Sequence, residues 1–316
     1  MKIFGNKFKL VKVFKDESSK FLLVCGIKFS SIYLFSAIFI YYIMWIILSL
    51  NNIYFESKGI GFDIELREAF IQNILGAFYK LFPEIFIFLI VLFFAGAYVG
   101  KVLLRPFELI GQYCLEKTQG QDVHYRPDIF SDYKVLTRFS EFFFRYVESA
   151  LTHKELTPNT IPEEYRRIRT PKFEKDFFLH FFILITIIGT ITGLFLFYIN
   201  TEIESSLMDL SLRMISAKDP TVGYFIQNQS FIFDSIVVAS SFIILVSYTM
   251  LSFHLYSKVS GAIFAFFATM RAFMKGNFQA RVHLIGYSHI RSDGRKFNKY
   301  LDYVERQCKV NHNKLN

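Results

Sequence analysis

The chain has 316 residues, 53% of them hydrophobic, with a mean hydropathy of +0.32 and a net charge of +9. This composition excludes an intrinsically disordered chain, which is poor in apolar residues, and its three cysteines are too few for a disulfide scaffold. The 40 phenylalanines stand among plentiful Lys, Ile, Asn and Tyr, the bias of an AT-rich genome, so the bias alone points to no aromatic function.

Residues 1–28 are a basic N-terminal segment carrying seven lysines, Lys2, Lys7, Lys9, Lys12 and Lys15 among them. A charge-free apolar run follows from Phe29 to Phe55. A bilayer needs about 20 apolar residues, so this run can span one. The run comes after Cys25 and not before it, so Leu22-Leu23-Val24-Cys25 does not read as a lipoprotein processing site. It is also too long for a signal peptide and is expected to stay as an anchor. A second span starts near Pro83, which suits the first turn of a helix, and ends before Lys101. A third lies between Asp176 and Glu202, and a fourth between Asp234 and Lys258.

The loops inside each pair of spans are short. The first carries Ile64, Ile71, Ile74, Leu75, Phe78 and Leu81 at helical spacing and is expected to continue into the second span. The second carries Ile203, Leu207, Leu210 and Met214 before a break at Asp219-Pro220. Their acidic residues match no cation-ligand spacing and read as a solvated face.

Basic residues set the topology. Segments 1–28, 101–176 and 258–316 hold seven, 13 and 11 Lys and Arg, against three in 51–83 and two in 200–234. The positive-inside rule places both termini in the cytoplasm of a multi-pass protein in the inner (cytoplasmic) membrane. The positive charge then faces membrane lipids and not nucleic acid. Cys25, Cys114 and Cys308 fall on the reducing side.

Within the spans, Gly96 and Gly100, and Gly189 and Gly193, form two G-x-x-x-G pairs, a spacing that lets helix backbones approach closely. His180 and His254 sit near span ends and read as interfacial residues. No Asp, Glu, Lys or Arg occupies a span centre, which argues against an ion-coupled transporter.

Phe70-Ile71-Gln72-Asn73 recurs 155 positions on as Phe225-Ile226-Gln227-Asn228, each copy ahead of a long apolar run. This sets two tandem units in register. Residues 29–104 are the first transmembrane pair, 105–151 an amphipathic helix pair and 152–176 a basic linker. Residues 177–257 are the second transmembrane pair, 258–306 a second amphipathic pair and 307–316 a tail. Pro158, Pro162 and Pro171 suit an extended return strap, and Arg166, Arg167, Arg169, Lys172 and Lys175 suit an anionic lipid surface.

In the second amphipathic pair, Ile263, Phe267, Met270 and Met274 form one helical stripe. Lys275-Gly276-Asn277-Phe278 stops it. An extended piece containing Arg281, Val282 and His283 leads to a helix from about Ser288, with Ile290, Phe297, Leu301 and Val304 as its stripe. This pattern resembles the HAMP domain of bacterial chemoreceptors and sensor kinases. Gly276, Asn277, Arg281, Val282, Phe297 and Asn298 fit the family pattern, while Ala262 replaces its proline and Ser288 and His289 replace its Asp-Glu. The first pair is a fainter copy. Pro106, in Arg105-Pro106-Phe107-Glu108-Leu109, keeps the proline, Gly120-Gln121-Asp122-Val123 matches the turn, and Asp132 and Phe139-Ser140-Glu141 match loosely.

The resemblance implies an all-α membrane protein of four transmembrane helices in two tandem repeats, each followed by a HAMP-like helix pair. Its HAMP-like core would be Pro106, Gly120, Phe139, Ile263, Phe267, Met270, Gly276, Val282, Phe297 and Leu301. Such modules resemble parallel four-helix bundles built by two protomers, so one chain can supply all four helices as a monomeric pseudo-dimer. The alternative is a homodimer with tandem modules side by side.

No nucleotide-binding, hydrolase or metal-ligand motif occurs, so no catalytic residue, metal or cofactor is expected. Cys308 and His312 are too few for a zinc site. The resemblance implies signal relay, and with no output domain after the second pair the relay is expected to act on a separate signalling or envelope protein. The other reading is a structural or accessory subunit of an envelope complex.

Overall fold

The computed structural model describes residues 16–57, 64–126, 134–166, 175–215 and 220–310. They are almost wholly helical. Helix α1 covers Glu17–Ser57 and α2 Ile64–Thr118. A π-turn at Lys134–Arg138 leads into α3, Phe139–His153, and the short α4 is Glu163–Arg166. Helix α5 covers Lys175–Ile215, α6 Pro220–Met274 and α7 Arg291–Gln307, the last entered through a 3-10 turn at Ser288–Ile290. The strands are two residues each, β1 Glu155–Leu156 and β2 Lys309–Val310, and they pair in parallel.

Local chemistry explains the ends. Asp16 caps α1, its carboxylate accepting from the Ser19 N–H at 3.3 Å and the Ser19 hydroxyl at 2.9 Å. Pro220 opens α6, where its missing N–H is not needed. Gly120 and Gly276 end α2 and α6 at φ values of 81° and 99°, open to glycine without strain. The Gln121 and Asn277 N–H groups then reach back to the carbonyls of Glu116 and Ala272, closing the same cap at both helices.

Pro83 is not in a first turn. It lies inside α2, because the helical pattern that begins at Ile64 runs unbroken into the apolar span. Pro106 is also interior to α2. Each proline removes one i to i−4 hydrogen bond from the helix. The two Phe-Ile-Gln-Asn stretches fall in α2 and α6; of their side chains only Gln72 is described, and it is exposed.

Among the described residues four helical stretches are long and apolar enough to cross a membrane: Glu17–Ile47, Tyr79–Thr118, Phe177–Ser205 and Phe231–Met274. Their mean hydropathies run from 1.9 to 2.4, yet only 28–33% of each apolar window is buried. Phe35 is 70% exposed, Phe94 65%, Leu194 65% and Met250 68%. A surface of that kind is stable in lipid and not in water.

The chain forms two compact units. The apolar unit takes residues 26–96 and 184–251. Its centre is aromatic: Phe88 stacks on Phe195 at 4.0 Å, with Tyr33 edge-on to Phe88 at 5.2 Å. Small residues bring its helices together. A Cβ on Gly189 would meet Leu245 at 3.2 Å, and one on Gly193 would meet Ser241 at 3.3 Å. A Cβ on Gly26 would lie 2.7 Å from the Phe93 carbonyl oxygen. The Tyr248 hydroxyl donates to the Phe29 carbonyl at 2.9 Å and Ser30 to the Leu89 carbonyl at 3.1 Å, so buried polar groups are met across helices.

The bundle unit takes residues up to Cys25, 97–183 and 252 onwards. In α3, Phe139, Ser140, Phe143, Phe144, Val147 and Ala150 are buried, and in α7 Asp293, Gly294, Phe297, Tyr300, Leu301 and Val304. Both sets follow the three-and-four spacing of one helical face. At the other end of this unit, Gly96 marks the limit of the apolar unit and is buried, while a Cβ on Gly100 would meet Cys25 Sγ and Leu22 at 3.1 Å. The 152–166 strap packs on the bundle: Leu156 and Ile161 are buried, and the Asn159 N–H donates to the Met274 carbonyl at 2.9 Å. Residues 167–174 and His312 lie outside the described residues, as do the side chains of Arg166 and Lys175.

Gly26→Ala should therefore lower the thermal midpoint of the detergent-solubilised protein by several degrees, since forced overpacking costs about 1–3 kcal/mol. Gly76→Ala, where a Cβ meets nothing within 4 Å, should leave it unchanged or raise it. Equal effects of the two substitutions would contradict the close packing at Gly26.

Candidate functional site

The core of the bundle unit is a set of phenylalanines from four helices. Phe297 of α7 lies 5.3 Å from Phe266 of α6 and 5.9 Å from Phe143 of α3. Phe107 of α2 meets Phe266 edge-on at 5.4 Å, and Phe139 of α3 packs on Phe267 of α6 at 4.7 Å. Each ring buried here is worth about 1.5–3 kcal/mol, with about 0.5–1.5 kcal/mol more for each well-placed aromatic pair. Ile263, Met270, Val282 and Leu301 are buried in the same unit, as is Pro106. Ser140 hydrogen-bonds the Leu136 carbonyl and lies 3.6 Å from Met270 Sδ. Gly120 is exposed and Gly276 half-buried, where they cap helices and do not fill the core. Pro158 lies over Gly276, 3.2 Å from where a Cβ would be.

The connector between α6 and α7 is pinned by side chains. Asn298 accepts from the Val282 N–H at 2.8 Å and donates to the Val282 carbonyl at 2.9 Å, so it acts as a strand partner for one residue. Arg281 reaches Asp302 at 2.7 Å and Glu305 at 2.5 Å. It also donates to the carbonyls of Phe278 and Ala280. These pins fix the extended segment along α7.

Beyond Phe297 the core turns polar. Tyr113 of α2 faces Tyr300 of α7 at 5.9 Å and donates to Glu148 of α3 at 2.8 Å. Lys117 stands 3.4 Å from the same carboxylate. Elsewhere in the unit, a Cβ on Gly111 would lie 2.5 Å from Asp293 Oδ1, so the Asp293 side chain fills the hollow that this glycine leaves. Asp293 is 4% exposed and pairs with Lys296 at 2.7 Å. Burial pushes its carboxyl above the ordinary range, against the pull of Lys296.

Ser288 and His289 occupy the 3-10 entry to α7. His289 is buried, stacked on Phe21 at 4.5 Å, and its Nε2 lies 3.3 Å from the Lys258 carbonyl. The Ser18 hydroxyl donates to the His289 carbonyl at 3.0 Å, tying α1 to this entry. Burial holds its imidazole below the usual 6.5.

Sequence patterns found most of the buried stripe but missed Phe143, Gly111, Asp293 and the Tyr113–Glu148 link. Phe143 carried a signal, since it continues the helical spacing of Phe139 and Val147. Asp132 lies outside the described residues, and the three cysteines are buried and form no disulfide. Among the described residues no group of His, Cys, Asp and Glu is arranged to hold a metal.

No family model, curated protein or solved structure matches the chain. Its class is defined by the fold alone: an all-helical multi-pass membrane protein with a compact helical bundle unit.

A buried histidine with a depressed folded value stabilises the fold in its neutral form. That contribution is complete above 6.5 and is lost as pH falls through the folded value. Asp293 works in the opposite sense, its contribution complete below 3.8 and lost as pH rises through its raised folded value. Comparing wild type with His289→Gln isolates the histidine. The stability difference should be larger at about pH 7.5 than at about pH 5.5, measured by thermal unfolding. The same difference at both would contradict a neutral, buried imidazole.

Proposed function

We propose that the chain is an inner-membrane signal relay with cytoplasmic termini, in which motion of membrane helices repacks a HAMP-like bundle that acts on a separate signalling or envelope protein. The observation that carries this reading is the shared core: helix pairs 105–151 and 258–306 interleave around Phe297, Phe266, Phe143 and Phe107 within one chain. Helices α1, α2, α5 and α6 each contribute residues to both compact units without an intervening loop. A rotation or shift of such a helix is carried along its own backbone. A packed core responds by moving between discrete arrangements, not by bending continuously.

Several features support a tandem repeat. The long helices alternate in length at 41, 55, 41 and 55 residues. Gly120 and Gly276, 156 positions apart, cap the 55-residue helices alike. Glu155 and Lys309, 154 positions apart, are paired in the parallel bridge. In this register Phe143, and not Phe139, is the counterpart of Phe297. The counterpart of Phe139 is Asp293, and that of Phe267 is Gly111.

This register favours the monomeric pseudo-dimer over the homodimer. Pairing the first unit with the second gives Phe139 on Phe267 and Gly111 on Asp293. Pairing the second unit with its own copy would instead press the Asp293 carboxyl against the Phe267 ring, burying a charge on an apolar face.

The test uses one apolar and one charged change in the core. Phe297→Leu keeps the position apolar but removes the ring's aromatic contacts, at a cost of about 1–3 kcal/mol, and leaves the four apolar spans that hold the chain in the membrane untouched. Under the relay reading Phe297→Leu and Met270→Glu shift a cellular signalling output, read by phosphoproteomics, at unchanged membrane levels. Loss only of a co-purifying complex would favour the structural or accessory role. No change in either would overturn both.

A further inference from the structure

A groove of net positive charge opens on the bundle unit where α7 passes the start of α1 and residue Leu115 of α2. It encloses about 470 Å³, within the range of small-ligand sites. Arg291, Arg295 and Lys299 line it at successive turns of α7, over about 12 Å. Lys296 joins them, with the hydroxyl of Ser292 as a neutral donor.

The groove's lining carries four cations and two carboxylates, a surplus of two positive charges. Of its own carboxylates, Glu17 is engaged by Lys20 at 3.1 Å and Asp16 by the α1 cap. Asp293, beneath, takes Lys296. Arg291, Arg295 and Lys299 have no ion-pair partner among the described residues, though Glu17 lies near enough to Arg291 to feel its charge. Like charges one turn apart repel, and cations in the first turns of a helix oppose its dipole. The row is locally unfavourable by itself and becomes favourable when an anion bridges it.

We propose that this groove binds an anion carrying two or more phosphate groups, held by Arg291, Arg295 and Lys299. Guanidinium groups take phosphate oxygens in pairs, and the 12 Å row is too long for a single phosphate to satisfy. The phosphates can belong to a soluble polyphosphate or to a lipid headgroup bearing two of them. The inference does not depend on signal relay.

The experiment uses the full chain in nanodiscs of neutral phosphatidylcholine, titrated with tripolyphosphate by calorimetry. In parallel, native mass spectrometry counts cardiolipin retained after extraction from cardiolipin-containing nanodiscs. The variants are Arg295→Glu/Lys299→Glu and the milder Arg295→Gln/Lys299→Gln, with exposed Lys275→Glu as the control. Both substituted side chains are exposed, so helical content and thermal midpoint should be unchanged. A soluble source predicts tripolyphosphate binding that weakens about tenfold or more in the double variants and falls with added salt. A lipid source predicts retained cardiolipin that is lost in the double variants, without tripolyphosphate binding. Binding of neither probe, or binding unchanged by the double variants, would overturn the proposal.

Discussion

Complementary packing across the bundle core is the constraint on which the other features depend. At one contact two large rings, Phe139 and Phe267, meet at 4.7 Å. At another, Gly111 gives up its side chain and Asp293 enters the space, leaving no room for even a methyl group. Phe297 then sits between α3 and α6 with Phe143 and Phe266 around it. In the proposed repeat, pairing the second helix pair with its own copy would bring a ring against a carboxyl.

The polar contacts around that core do a different job from the rings. Asn298 and Arg281 hold the connector in place along α7, and the Asn159–Met274 bond holds the strap to the end of α6. Tyr113 and Glu148 join α2 to α3. The Ser18 hydroxyl and the Phe21 ring join α1 to the entry of α7 at His289. Each is a directional link between elements that apolar packing alone would leave free to slide. In the proposed relay these links define which helices must move together.

Much of this was readable from sequence where the signal is local. The four apolar runs stand out because a bilayer demands some 20 apolar residues in succession. The turns at Gly120 and Gly276 were readable because only glycine takes their positive φ easily. The buried stripe through Ile263, Phe267, Phe297 and Leu301 followed from helical spacing. What was not readable depends on partners far apart in the chain. Gly111 is an ordinary helical glycine until Asp293 is placed against it, and Glu148 an ordinary surface acid until Tyr113 reaches it. Pro83 misled for a related reason: an interior proline and a first-turn proline look alike locally, and only the unbroken helix from Ile64 separates them. The prolines of the strap gave no sign that Leu156 and Ile161 bury themselves in the bundle unit.

The central claim is that one polypeptide supplies both halves of the bundle. Glu155 and Lys309 come from different halves and are paired in the parallel bridge, away from the aromatic core. In a chain whose three cysteines are replaced, Glu155→Cys and Lys309→Cys can be oxidised together in membranes co-expressing two differently tagged copies. The account predicts a crosslink formed within single chains, running as a monomer and carrying one tag. A crosslinked dimer carrying both tags as the main product would contradict it.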